Sequence, residues 1–431
     1  MRTVNRKRTL ALLLMLVLAL LTACGGPRSA MTPDGQTAGV DLSQATLEEM
    51  TVQYPAADGR LTVTQTITDR FLLGLIEKAL QPLQSATTAP QRAAETVLTL
   101  TLNDAKGKHV LDCPYVQEMA PPEQAWLSVD GVWRDVSLRL KNLISAVSYF
   151  RVLDGGVDSG DQEFLHRYGW TAAFPLNRLT VRLPEQFTYQ VGSYPEAVYW
   201  AYNHELSKSI GLDLTPYLGQ EVTVRLYKIV EELPEFMTPQ RPWGRAIILR
   251  QGDRIIGAWL DAGRSSWACS LQGKSWDMVT SRSFEAWVAG LLQKDDPELT
   301  RLAALTPEEV VRAYYAAVDS HDAAASRLYR SIKSLWQDMF INMDNSLLFN
   351  PLDATEQGLG NIISAEVQRV ERTQFAPGEG PPEGTVGLAV TVDLRFKQVI
   401  SLGNGPQTLF FYLREEIPGT GWRIISWGTG P

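Results

Sequence analysis

The sequence predicts an α+β fold built as several modules behind a short apolar leader. Three observations predict it. Apolar residues recur every three to four positions in some stretches and every second position in others, the periods of amphipathic helices and half-buried strands. In the last third the helical pattern comes first and the alternating strands follow, which segregates helices from an antiparallel sheet. Beyond the leader no apolar run approaches the roughly 20 residues that a bilayer-spanning helix requires. With 431 residues, 45% of them hydrophobic, the chain has material for two or three domains, each with a core.

The N-terminus carries Arg2, Arg6, Lys7 and Arg8, then the apolar run Leu10 to Leu21, then Leu21-Thr22-Ala23-Cys24-Gly25-Gly26. A cationic start and a short apolar stretch ending in small residues read as an export signal over 1–23. The Leu-Thr-Ala-Cys box resembles the lipobox of bacterial lipoproteins. That resemblance implies a lipid on Cys24, cleavage before it, and attachment to the outer face of the cytoplasmic membrane. Two or three acyl chains anchor stably, since each buried methylene contributes about 0.8 kcal/mol. Residues 24–41, rich in Gly, Pro, Ser and Thr, read as a flexible lipidated tether.

Residues 42–150 read as a small α+β domain. Leu61 and Val63 lie in a short alternating strand. Leu72, Leu75, Ile76, Ala79 and Leu80 share one face of a helix over 69–84. Leu98, Leu100 and Leu102 alternate with threonines in a strand that turns through Ala105-Lys106-Gly107-Lys108 toward Val110 to Cys113. A second hairpin turns at Asp130-Gly131, and Leu138, Leu140, Leu143, Ile144 and Val147 mark a closing helix.

Residues 151–161, with Gly-Gly and Asp-Ser-Gly-Asp, read as a linker, and 162–292 as a second α+β domain. A helix is expected around Glu163 to Tyr168. A second, from Tyr194 to Ile210, should turn Ala197, Val198, Ala201, Tyr202 and Leu206 inward and stop at Gly211. Strands follow through Val222 to Leu226, Ala246 to Leu249 and Ile255 to Trp259. The runs E-F-L-H-R-Y-G-W, R-L-P-E-Q-F, A-Y-N-H-E-L, G-L-D-L-T-P-Y-L-G-Q-E-V-T and R-I-I-G-A-W-L-D resemble an uncharacterised domain of Gram-positive (Bacillota) lipoproteins. The resemblance implies a location and no activity.

Residues 293–304 read as a linker carrying the acidic Asp295-Asp296-Pro297-Glu298, and 305–431 as the third domain. Thr306-Pro307-Glu308-Glu309 is a capping box with proline at the first helical position. Val310, Val311, Tyr314, Ala317 and Val318 form one helical stripe, and Leu328, Tyr329, Ile332, Leu335 and Trp336 the next. Val386 to Phe396 alternates without a break, and strands through Leu409 and Phe411 and through Gly421 to Trp427 follow. Helices, then a curved antiparallel sheet ending in G-W-R-I-I, resemble the cystatin/nuclear transport factor 2-like cone in its uncharacterised extracytoplasmic Bacillota branch. That fold hosts enzymes and plain binding modules alike.

The chemistry expected is binding. The net charge of -8 argues against nucleic acid. The four histidines, His109, His166, His204 and His321, are scattered, so neither a metal site nor a cofactor is implied. No nucleophile elbow, S-x-x-K or phosphate loop is present. His321-Asp322 falls between two helices and suits capping, with a catalytic base inside the cone as the alternative. Glu231-Glu232 and Glu415-Glu416 are adjacent in sequence only and read as solvated charge. Cys113 and Cys269 are either two buried thiols or one bridge. Twelve tryptophans fill cores or form a stacking platform for glycans. Tyr314, Trp336 and Trp427 are the candidate pocket or core aromatics, with Trp427 placed on the face opposite Trp422. The whole reads as a lipid-anchored, non-enzymatic binding, interaction or sensing protein of the cell envelope. Its partners are the membrane, through Cys24, and an unidentified envelope ligand or protein. The alternative is a hydrolase or isomerase with its site in the C-terminal cone.

Overall fold

The computed structural model describes residues 46–55, 62–80, 84–85, 96–104, 107–114, 126–129, 132–135, 137, 140, 143, 147, 152–237, 244–262, 267–336, 359–373, 384–399 and 402–430. Cys24, the leader, the tether, the turns at Ala105-Lys106 and Asp130-Gly131, and the Gly/Pro turn before 384 lie outside them. Within the described residues the class is α+β: helices packed on open antiparallel sheets.

The first sheet has seven strands in the order β2-β1-β4-β5-β6-β7-β3. They are β1 (Thr46–Pro55), β2 (Thr62–Ile67), β3 (Gln84–Ser85), β4 (Thr96–Asp104), β5 (Gly107–Pro114), β6 (Trp126–Val129) and β7 (Val132–Asp135). Helix α1 (Arg70–Ala79) is capped by Asp69, whose carboxylate accepts the Leu72 amide at 2.8 Å, and it buries Leu72, Leu73, Leu75, Ile76 and Ala79. The predicted helix runs five residues too far, because Gln84 and Ser85 pair with β7. Leu140, Leu143 and Val147 of the expected closing helix are helical and buried.

The second sheet is β11-β10-β9-β8, from β8 (Ala172–Arg182), β9 (Glu221–Ile229), β10 (Arg245–Gln251) and β11 (Arg254–Asp261). On one face lies α2 (Ser159–His166), on the other α3 (Glu196–Lys208). The stretch read as a linker is already structured at its end. Asp158 caps α2, and Asp161, 0% exposed, accepts from Arg250 Nε at 2.7 Å, Arg225 Nη1 at 2.9 Å and the Tyr227 hydroxyl at 2.6 Å. A carboxylate so enclosed is compensated, because each of its oxygens meets a cation or a donor.

Helix α3 departs from the one-faced pattern. Val198 through His204, and then Leu206 and Ser207, are all buried, so the helix is covered nearly all round. A helix on an ordinary surface keeps a polar back. Here Ser207 faces the sheet, its hydroxyl accepting the Ala258 amide at 3.1 Å, while Tyr199 and Tyr202 meet rings from farther along the chain.

Next come α4 (Trp276–Thr280), α5 (Phe284–Leu291) and α6 (Pro297–Ala303). Helix α6 occupies the second predicted linker. Asp296 is buried rather than solvated and caps the helix through the Glu298 amide at 3.0 Å, and Leu299 and Leu302 are buried.

The last sheet is a meander, β12 (Ile362–Arg372), β13 (Thr385–Phe396), β14 (Gly405–Glu415) and β15 (Trp422–Gly428). Helices α7 (Pro307–Asp319) and α8 (Ala323–Leu328) precede it. The capping box forms as read: the Thr306 hydroxyl accepts the Glu309 amide and the Glu309 carboxylate accepts the Thr306 amide. Leu388, Val390, Val392 and Leu394 face the core in strict alternation. A further helix begins at 332, its amides at Ile332 and Lys333 donating to Glu416 at 2.7 and 3.1 Å. Glu416 is therefore a half-buried helix cap, not the solvated charge that its sequence neighbourhood implied. Glu231 likewise accepts the Thr171 amide at 2.7 Å.

Candidate functional site

The candidate site forms on the helix-facing side of the C-terminal sheet. The strand alternation of β14 turns Leu409, Phe411 and Leu413 inward. Phe411 is paired with Leu388 on one side and Trp427 on the other. The β14–β15 register slips between the pairs Tyr412–Ser426 and Leu413–Ile424, leaving Ile425 as the extra residue of a bulge. A bulge resets the alternation downstream of it. Trp427 therefore shares a face with Ile424 and Trp422, and the expectation that the two tryptophans face opposite ways is corrected. No local sequence signal marks this bulge.

Around Phe411 the rings converge from two elements. Trp427 lies nearly parallel to it, at 6.3 Å and 18°. From α7, Tyr315 approaches edge-on at 5.7 Å and Tyr314 at 6.3 Å. Tyr315, not Tyr314, takes the deep position. Burial, and then the neighbouring Tyr314, push its phenol far above the ordinary range, so it is a neutral donor at any working pH. Tyr314 is half-buried and Trp427 is 49% exposed. The accessible end of the stack, its mouth, is Trp427 on β15 together with the half-buried Tyr314 of α7. It presents to solvent about half of the Trp427 indole and part of the Tyr314 ring, surfaces suited to apolar or ring-stacking contact.

Trp336 does not join this mouth. It is 0% exposed and sits among Tyr202 at 5.0 Å, Trp267 at 5.8 Å, Phe284 at 5.8 Å and Tyr199 at 6.1 Å. Tyr202 also stacks on Trp276 at 5.4 Å and 13°, and Trp287 closes the group. Trp336 is thus a core residue between the second and third sheets. The three candidate aromatics diverge here: Tyr314 and Trp427 each meet Phe411, and Trp336 goes elsewhere. Trp267, 37% exposed, is the edge of the second group.

Several titratable groups among the described residues are engaged in structural contacts or buried. Asp322 caps α8 through the Ala325 amide at 2.8 Å, as read, whereas the His321 ring caps no helix and meets the Ile362 carbonyl of β12 at 2.7 Å. His204 is held below its usual range by burial, and its Nδ1 accepts the Leu214 amide at 3.3 Å. Burial pushes the free Cys269 thiol up to about 12, making it an inert core group. Lys228 is buried on β9 with its amine on the Ile229 carbonyl, and burial lowers it to about 7. Its ladder neighbour Arg245 is committed to Asp261 through Nε at 2.7 Å and Nη2 at 3.1 Å. Among the described residues no three His, Cys, Asp or Glu side chains are placed to hold a metal ion, and no helix is long and apolar enough to cross a membrane.

No curated protein matches the chain. Residues 164–260 match the family described as Domain of unknown function (DUF4830). Residues 308–428 match the one described as Domain of unknown function (DUF4829). The first covers the second sheet with α3, the second the C-terminal helices and sheet, so the chain carries two family segments, neither with an assigned activity.

Proposed function

We propose that the protein is a lipid-anchored, extracytoplasmic binding or sensing protein, held at the membrane through Cys24, that takes its ligand at the mouth of a nuclear transport factor 2-like cone. The observation that carries the binding half is the half-open stack of Tyr314, Phe411 and Trp427. Rings left accessible at the end of an otherwise packed sheet form a recognition surface. At the junction of the two helices Asp322 is engaged in capping and the His321 ring in a bond to the Ile362 carbonyl, which supports binding over acid–base turnover there. The lipobox at Leu21 to Cys24 supports the anchoring half.

The test has two arms. In the first, the whole chain downstream of Cys24 is screened by thermal shift against cell-wall fragments, lipids and small metabolites. A compound that stabilises the parent and not Trp427→Ala supports the mouth. A compound that stabilises both equally places binding elsewhere. In the second arm, cells expressing the whole chain are fed a fatty-acid analogue. Label on the parent and none on Cys24→Ala is the expected result, and label retained by the alanine variant removes the anchor.

A further inference from the structure

The two family segments, 164–260 and 308–428, leave 261–307 between them. By composition part of this stretch is polar and reads as a connector. In the fold it supplies four rings to one cluster: Trp267, Trp276, Phe284 and Trp287. Those rings are packed from one side by Tyr202 of α3 and from the other by Trp336 of the C-terminal module, which Tyr199 of α3 meets directly. A single cluster of buried apolar residues runs without a break from Leu183 to Ile424.

The contacts along this joint are of the kind found inside a domain. At Gly192, φ +80°, an added Cβ would lie 2.5 Å from Leu328 Cδ2, and the Gly192 carbonyl accepts Arg327 Nε at 2.9 Å. At Gly421, φ +85°, a Cβ would lie 2.4 Å from the Leu302 carbonyl oxygen of α6. The Gly421 approach, to backbone, holds only where both partners are fixed, while at Gly192 the close neighbour is the Leu328 side chain. Glu285 of α5 also pairs with Lys333 at 3.4 Å across the joint, half-exposed and worth little energetically. The all-round burial of α3 follows from the same arrangement: its first wall is the second sheet, and its second wall is the Trp336 group. Independent domains in one chain meet through smaller and more polar contacts.

We infer that residues 164–428 form one cooperative folding unit, in which 261–307 is the central wall of a shared aromatic core and neither family segment is an autonomous domain. Trp336 is its keystone. Loss of the C-terminal module would leave α3 with Tyr199 and Tyr202 facing water. Loss of α3 would strand Trp336 in the same way.

Hydrogen exchange read by mass spectrometry on the whole chain downstream of Cys24 tests this. Trp336→Ala is expected to speed exchange at least tenfold in α3 peptides as well as in β13 and β14. Because that change can unfold the body outright, Gly192→Ala serves as the second variant. It lies in the middle module and is expected to speed exchange in β13 and β14, which it does not touch. Acceleration confined to 305–431 for the first variant, or to residues before 293 for the second, overturns the single unit.

Discussion

Two tryptophans of the C-terminal module, Trp336 and Trp427, end in opposite environments. Trp336 is enclosed by four rings from α3 and the 261–307 segment, while Trp427 stacks on one ring and keeps 49% of its surface exposed. Residue type did not separate them. What separated them is whether another layer of the molecule closes over the ring. The comparison teaches that aromatic richness in this chain serves two purposes, a joint and a mouth, and that burial assigns each ring to one of them.

Substitution should break the comparison most sharply at the joint. Trp336→Ala removes a fully buried indole from a closed core and is expected to cost about 3–5 kcal/mol in urea unfolding. A loss under about 1 kcal/mol would mean that the joint is loose. Next in size is the close approach at Gly421. Gly421→Ala forces a side chain onto the Leu302 carbonyl at positive φ, for an expected loss of about 1–3 kcal/mol. Gly419→Ala is the control for the left-handed conformation alone, since it has the same sign of φ, +80°, and open space. It should cost visibly less.

A third effect concerns the sheet under α3 and depends on pH. Below pH about 7 the Lys228 amine is protonated both folded and unfolded, and the fold bears the full cost of a buried cation. Between pH 7 and the ordinary lysine value near 10.4 the unfolded chain keeps the proton and the folded one releases it. Stability from this group therefore rises with pH across that window. Parallel urea curves between pH 6.5 and 9.5 should show a rise in the parent that Lys228→Met lacks. An equal slope in both would assign it to other groups. The smallest expected effect is at the mouth: Trp427→Ala should change stability by no more than about 1 kcal/mol, because half of the ring already faces water. A loss as large as that of Trp336→Ala would turn the mouth into core.

Much of the fold was legible in the residues. The Val386 to Phe396 alternation, the Thr306–Glu309 capping box, the Asp322 cap and the Gly211 stop, which takes φ +83°, rest on local periods and local hydrogen bonds, and each appears. What escaped was set by partners distant in sequence. Asp161 and Asp296 sit in stretches that read as linkers, yet one meets Arg225 and Arg250 and the other caps a helix whose leucines are buried. Glu416 looks solvated until the helix beginning at 332 places two amides on it. The bulge at Ile425 carries no glycine or proline, so the face of Trp427 could not be read from strand period alone. Of the three candidate aromatics, two share the mouth and one belongs to the joint, a division that depends on which helix face the middle module covers.

The central claim is that the middle and C-terminal modules share one core, and unfolding followed by two separate probes tests it most directly. A fluorophore on an exposed position of β12 reports the C-terminal sheet, and one on α2 reports the second sheet, each in the whole chain downstream of Cys24. Both urea transitions should coincide in midpoint and slope, as they must when one cooperative unit melts. A C-terminal transition complete at lower urea, with the second sheet still folded, would contradict the shared core and return Trp336 to a surface contact.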